Sequence, residues 1–541
     1  MILEEVIEEI KSESLKEFEN LSKIYRPSFQ TRKIADYLKQ RVKELKPDVE
    51  VFEDQYRANL IDDIYDPAAS SGNIWFDLPA TPGCEDNEPI ILQAHMDMVC
   101  SFADDEAEKE MKEVGVQLEY HDNGTLTSMN KKTSLGADCG IGIGVMLAIF
   151  KSEKLRHGLI RFLITTDEEV GMCGASYLGL TKTGEKGDPV RGFKYLVNLD
   201  DPYDGEIIVS TAGAVVSLYT LPLANDNPEL PAGVNVYTLN ITGLLGGHDG
   251  VEIHHHASAG RVAAKILTDI STTPDFQLIE FTNPGCDFHN TIHTHAKVIF
   301  ATKQNINDLK SIITNHESML KGEYPLESAA KIQLEATQLP QKVVIKPISH
   351  DMSCKILKLI TSLPYGPTSW KNQSTGWVET SGNVGPVNLV LNKHEENGTM
   401  IWDAPTFNMR AHTRSCNNDH LVKTVEDNKK LAKDIFGSDD LDYYQLKNIL
   451  YGWPGDEDTT LIDVAKAGYE AKGVKWSTKN VHGGFEVSWF RHFNNDLVMV
   501  IIGPEIHDIH QCQETLYTGT LNGFITVVLS CIEKMNSLKK K

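Results

Sequence analysis

PIILQAHMD (89–97), RFLITTDEEVG (161–171), YLVNLDD (195–201) and LVMVIIGPEIHDIH (497–510) decide how this chain is read. Each carries a Val/Ile/Leu-rich run of strand length, the pattern of a parallel strand buried on both faces. Each run stops abruptly at His or carboxylate residues. In open α/β sheets, ligands bind just beyond the carboxyl ends of the strands. Four chelator-rich strand ends, with Asp138 at the Gly-rich helix start LGADCGIGIG (135–144), together describe a two-metal site.

Working outward from these stretches, strands alternate with helices from 89 to 211, as in IGIGVMLAIFKSE (141–153), which predicts an α/β sheet. The pattern changes after Gly213. NVYTLNITGL, a helix ASAGRVAAKILTDIS, FQLIEFT, HAKVIFAT, a helix INDLKSIITNHESMLKG and KIQLEAT follow in β-α-β-β-α-β order, which predicts a ferredoxin-like unit. MSCKILKLITSL, VNLVLNK, TFNMRAHTR and HLVKTVEDNKKLAKDIF read as a partial second copy. The α/β pattern then returns with DTTLIDVAKAGYEAKG and VMVIIG. The expected organisation is a catalytic domain in two parts, 1–212 and 441–541, around an inserted α+β domain at 213–440.

Composition bounds the function. The chain has 541 residues, 41% hydrophobic and 24% charged, too long for one core. Its 52 basic and 76 acidic side chains leave a net charge of −24, which repels nucleic acid and anionic membranes. The nine cysteines form no CxxC pair, so free thiols and a cytoplasmic location are expected. MILEEVIEEIKSESLKEF reads as an acidic amphipathic helix rather than a signal peptide, and no apolar run reaches the length of a membrane span.

Each site residue has an ordinary structural explanation when taken alone. His95 and Asp97, two apart on a strand, point the same way. A ligating His usually donates its second ring N–H to a carboxylate, so Asp97 could orient His95 or ligate. Asp167-Glu168-Glu169 would suit a helix N-terminus. Equally, one Glu could ligate while the other serves as general base. Asp138 could be an N-cap or the carboxylate that bridges two cations. Asp200 and His510 end their own strands. Joint occurrence favours the metal site. His and carboxylate donors without thiolates suit zinc first, with cobalt or manganese as alternatives.

The motifs GADCGIG, TDEEVGM, GGHDGVEIH, GWPGDEDTTL, HGGFE and GPEIHDIH run in order through the chain. Through them it resembles the co-catalytic zinc exopeptidases of the aminoacylase/carnosinase/carboxypeptidase G2 kind, and within these the dipeptidases that act on Xaa-His. The resemblance implies a dinuclear-zinc dipeptidase with a lid domain. His95 and Asp200 would hold one metal and Glu169 and His510 the other, with Asp138 bridging. Glu168 would be the general base and Asp97 would orient His95. His248 of the lid would stabilise the oxyanion. Arg414 would bind the substrate's terminal carboxylate, a task suited to its fork geometry. A homodimer through the lid is also implied.

His482 and Glu486 of HGGFE are candidates for site support, and the triplet His254-His255-His256 reads as structural or surface. The sequence departs from the family pattern in three places: Asp249 stands where GGHSG has Ser, HQCQE (510–514) replaces HSPDE, and Cys139 replaces a small polar residue. The competing readings are an N-acyl amino-acid deacylase or an aminopeptidase/tripeptidase on the same scaffold, and an inactive peptide- or metal-binding homologue.

Overall fold

The computed structural model describes residues 4–56, 68–178, 189–223, 228–285, 288–339, 342–396, 399–403, 406–437, 442–445 and 449–540. The chain forms two compact units. The first comprises Met1–Thr211, Trp453–Asn480 and Phe485–Lys541; the second comprises Ala212–Gly452 and Val481–Gly484. The expected boundary at 440/441 lies outside the described residues, and the second unit runs on to Gly452.

The first unit is built on β1 (Val51–Glu53), β2 (Ile74–Leu78), β3 (Ile90–His95), β4 (Ile160–Thr165), β5 (Tyr195–Asn198), β6 (Glu206–Thr211), β15 (Ser477–Val481) and β16 (Val498–Ile501). Their order across the sheet is β1-β2-β4-β3-β5-β16-β6-β15. The four central strands β4, β3, β5 and β16 are mutually parallel, and every residue in them is buried. These are the four chelator-ending runs of the sequence. Their register sets His95 beside Thr165, and Gln93 beside Asn198, which in turn pairs with Ile501. All four therefore stop at one edge of the sheet.

The helix Ala137–Lys151 is apolar nearly all round, which suits an element enclosed on every side. It lies between β3 and the N-terminal helix Glu4–Ser22. Gly144 makes the close approach to the latter feasible, because a Cβ there would sit 2.6 Å from the Ser14 carbonyl oxygen. The ring of Phe162 on β4 stacks on Phe76 at 5.1 Å and meets Phe150 of the central helix edge-on at 5.7 Å.

The second unit continues with β7 (Gly213–Pro222), β8 (Asn235–Thr242), β9 (Gln277–Thr282), β10 (Ala296–Thr302), β11 (Lys331–Ala336), β12 (Trp377–Leu389), β13 (Thr406–Ser415) and β14 (Asp442–Gln445). The sheet order is β11-β8-β10-β9-β12-β13-β7-β14. Its first half has the β-α-β-β-α-β order read from the sequence, with the strands arranged fourth-first-third-second. The other half repeats that arrangement as β14-β7-β13-β12, with helices His350–Ser362 and Asn418–Phe436 in the corresponding places. The second copy is therefore complete. Its opening strand, β7, lies upstream of the whole first copy, where a reading in chain order does not look for it.

The Phe76–Phe150–Phe162 cluster fixes β2, β4 and the central helix to one another. Phe162→Ala is expected to lower unfolding free energy by about 3–5 kcal/mol, through lost burial and a residual cavity. Urea unfolding measures this; a loss under about 1 kcal/mol would mean that the core collapses onto the gap.

Candidate active site

His95 ends β3 and is buried. Its Nδ1 lies 3.0 Å from the Asp97 carbonyl oxygen and 3.6 Å from Asp97 Oδ1. With Nδ1–H donating there, Nε2 turns a lone pair into the site. Nε2 is 3.2 Å from Asp138 Oδ1 and 3.2 Å from Asp200 Oδ1. The sequence reading gives Asp97 the task of orienting His95. Its main chain does so most directly, while its carboxylate accepts from the amides of Glu168 (3.0 Å) and Glu169 (3.3 Å) and from Ser28 Oγ (2.8 Å). Asp97 thus braces the Glu pair against the end of β3.

Asp138 reaches the site from the first turn of the central helix, where its backbone is not yet helical. Its second oxygen, Oδ2, lies 3.2 Å from His510 Nε2, so one carboxylate faces two histidines with different oxygens. His510 Nε2 is also 3.0 Å from Glu169 Oε2. His510 sits between two short paired strands, Ile506–His507 and Thr515–Tyr517, the latter hydrogen-bonded to Thr125–Ser128. Among the described residues, three sets of potential metal donors each bring their ligand atoms within 4.8 Å of one another: Asp138/Glu169/His510, His95/Glu168/Glu169 and His95/Cys139/Asp200. The structure therefore gathers all five residues expected to be ligands, with Asp97 and Glu168, in one place.

Three groups to which the sequence assigns no task hold this arrangement. Buried Glu514 accepts from Leu135 N (2.8 Å), Gly136 N (2.9 Å), Ala137 N (2.9 Å) and Asp138 N (3.4 Å). Its carboxylate thereby fills the amide cradle that delivers Asp138. Buried Arg26 donates to the carbonyls of Met96, Asp97 and Gly136, tying the end of β3 to that turn. Gly136 has φ +70°, and a Cβ there would come 2.6 Å from Met98 Sδ. Cys139 is the third: its Sγ donates to the Leu199 carbonyl at 3.1 Å beside His95 and Asp200. Glu486, a candidate for site support, is also buried and accepts from Gln93 (2.6 Å) and Thr165 (2.8 Å) beneath the strand ends.

The electrostatics are those of carboxylates packed more densely than the available positive charge. Burial pushes Glu168 and Asp200 well above the usual carboxylate range and raises Glu169, with neighbouring carboxylates adding to the shift. For Asp138 burial acts the same way, but His510 and His95 outweigh it and hold the group well below the usual range. Burial opposes the positive form of His510, yet Asp138 and Glu169 raise it to about 10. Glu169 Oε1 is buried without a hydrogen-bond partner among the described residues. Imidazole nitrogen and carboxylate oxygen donors with surplus negative charge and an unpartnered buried oxygen fit divalent cations.

The second unit holds a separate cluster. His248 follows Gly247 in a short strand paired with Thr291–Ile292, and its Nδ1 accepts from Gly250 N at 3.1 Å. Arg414 of β13 brings Nη2 within 3.3 Å of His248 Nε2. His482 Nε2 lies 2.8 Å from Ser381 Oγ. Burial first, then Arg414, lowers His248 to about 4 and His482 to about 3, so both rings are neutral near pH 7. His254 and His255 are exposed, whereas His256 is bonded to buried Glu327 at 3.1 Å.

No family model matches the chain. It is 27% identical over 523 residues to the cytosol non-specific dipeptidase of Escherichia coli (strain K12), covering 96% of each chain. The aminoacylhistidine dipeptidase from Vibrio alginolyticus is 25% identical, with a TM-score of 0.79 and 98% and 97% of the two chains covered. Aminopeptidase PepT from Bacillus cereus shares the fold, at 18% identity and a TM-score of 0.54.

Glu514→Ala would leave the amides around Asp138 without their acceptor. It is expected to cost about 2–4 kcal/mol of stability and to weaken zinc binding at least about tenfold. Urea unfolding and competition with a chromophoric chelator read the two effects. Wild-type zinc affinity in a folded variant would mean that the cradle does not position Asp138.

Proposed function

We propose that this chain, a metallo-exopeptidase related to the aminoacylhistidine and cytosol non-specific dipeptidases, hydrolyses unblocked dipeptides, Xaa-His among them. The observation that carries the reading is Asp138, whose two oxygens each face a different histidine at 3.2 Å inside a ring of buried carboxylates. Such a carboxylate suits a bridge between two divalent ions. His95 and Asp200 would hold one ion and Glu169 and His510 the other, with zinc the first choice among the metals. Two bound ions would supply a lowered pKa for a shared water and polarisation of the scissile carbonyl.

The remaining chemistry belongs to the protein's own side chains. Glu168 takes the water's proton and passes it to the leaving amine. Its environment suits that task, because burial and the adjacent carboxylates raise its proton affinity. Asp97 fixes the Glu168 amide and so the direction of that carboxylate. His248, neutral at pH 7, donates to the developing oxyanion. Arg414 binds the terminal carboxylate of the substrate. A cytoplasmic location is part of the proposal, supported by the eight described cysteines, all free thiols. A homodimer through the second unit completes it; sedimentation at twice 60.3 kDa is the expected result, and a monomer at working concentrations would remove that part.

Release of free histidine from Ala-His and β-Ala-His, followed with zinc and after chelation, tests the reading. Wild type is expected to release histidine only with metal. Glu168→Gln should lose at least about a thousandfold in kcat while still binding two metals, as expected for removing a general base. Wild-type rates in that variant would remove Glu168 from the mechanism. Cleavage of N-acyl amino acids or tripeptides, with none of dipeptides, would select the deacylase or tripeptidase reading instead.

A further inference from the structure

Asp249 stands directly after His248 and is 2% exposed. It opens the short helix Asp249–Glu252 and lands on one face of the second unit's sheet. There it meets His412 and Arg414, two apart on β13, and Asn383 on β12, the register partner of His412. Arg414 Nε donates to Oδ1 at 2.8 Å, His412 Nδ1 contacts Oδ2 at 2.7 Å, and Asn383 Nδ2 donates to Oδ2 at 3.2 Å. The amide of Asp249 itself donates to the Asn290 carbonyl at 2.9 Å. A serine at this position could not accept from both Arg414 and His412 with charged oxygens.

This placement has a consequence for the neighbouring donors. His248 Nδ1 is occupied as the acceptor for Gly250 N. Arg414 Nη2 lies 3.3 Å from Nε2 of the same ring, so Asp249 and His248 flank the guanidinium on its Nε and Nη2 sides. Asp249 occupies Arg414 Nε and leaves the Nη1/Nη2 end of the fork for a ligand.

We infer that Asp249 is a positioning residue that locks Arg414 in place through Nε, so that the Nη end of its fork is held toward an anionic oxygen of the substrate. The chemical class of the ligand is a carboxylate on a small peptide or amino acid. The inference rests on the dipeptidase reading for the identity of that carboxylate, but the Asp249–Arg414 pairing is a property of the second unit alone.

The test compares wild type, Asp249→Ser and Asp249→Asn on a dipeptide and on its C-terminal amide, each loaded with zinc. The quantity read is the ratio of kcat/KM for the free acid over the amide. Loss of one charge-assisted hydrogen bond to the carboxylate should lower this ratio about tenfold in Asp249→Ser, mainly through KM, and less in Asp249→Asn, which keeps an acceptor for Arg414 Nε. Adding Arg414→Lys to Asp249→Ser should lower the ratio little further, because both changes remove one device. A merely structural role would lower acid and amide cleavage equally, and an unchanged ratio in a folded variant overturns the inference. Should Asp249→Ser not fold, the smaller fall in the ratio expected of Asp249→Asn is read instead, and an unchanged ratio there overturns the inference. If wild type cleaves no dipeptide, the dipeptidase reading fails separately. Calorimetric binding of free histidine then decides: about tenfold weaker binding to the Asp249 variants than to wild type supports the inference, and equal binding overturns it.

Discussion

The convergence of buried negative charge at one sheet edge is the constraint on which this structure depends. β4, β3, β5 and β16 run parallel and end together, so the His, Asp and Glu residues at and beyond their ends meet. Three buried groups serve that meeting. Arg26 contributes a guanidinium to carbonyls just past β3 and at Gly136, before the central helix. Glu514 saturates the amides around Asp138, and Asp97 saturates those of the Glu pair. Carboxylates that close in a low-dielectric setting are costly unless paired or bound to cations. The protein leaves Glu168, Glu169 and Asp200 with too few protein cations, which makes the site a candidate for divalent ions by electrostatics as well as by residue type.

The legible part of the fold was the part that leaves a local pattern. A strand buried on both faces must be an apolar run, so the four central strands could be read one at a time, and their chelating ends with them. The ferredoxin-like order of the second unit could be read for the same reason. Its duplicate was only half legible. β7 is separated from the rest of its copy by the whole of the other copy, and nothing in Gly213–Pro222 says which neighbours it will have.

The same division runs through the site. His95, Asp138, Glu168, Glu169 and Asp200 lie at or just past strand ends or at a Gly-rich helix start, and those contexts mark them. His510, expected to end its own strand, instead lies in a turn between the short strands Ile506–His507 and Thr515–Tyr517, well past the end of β16. Glu514 and Arg26 act on main-chain groups far away in sequence, with separations of 376 to 379 and of 70 to 110 residues. Such contacts carry no periodicity, and a lone Glu or Arg looks like a solvated side chain until its burial is known. Asp97 shows a subtler limit. Its spacing from His95 predicts a carboxylate on the ring, whereas the shorter contact comes from its carbonyl and the carboxylate turns toward Glu168 and Glu169.

The two units solve opposite electrostatic problems. The first concentrates carboxylates and requires cations; the second buries a guanidinium and neutral imidazoles and presents N–H donors. A buried Arg alone would be expensive, and Asp249 offsets that cost by direct pairing. The pairing does not cancel the recognition chemistry, because Asp249 engages Nε and His412 rather than the end of the fork. A carboxylate partner therefore stabilises the buried Arg414 while leaving it able to donate. The distribution of buried charge, more than any single motif, is what supports the proposed hydrolysis of small peptides.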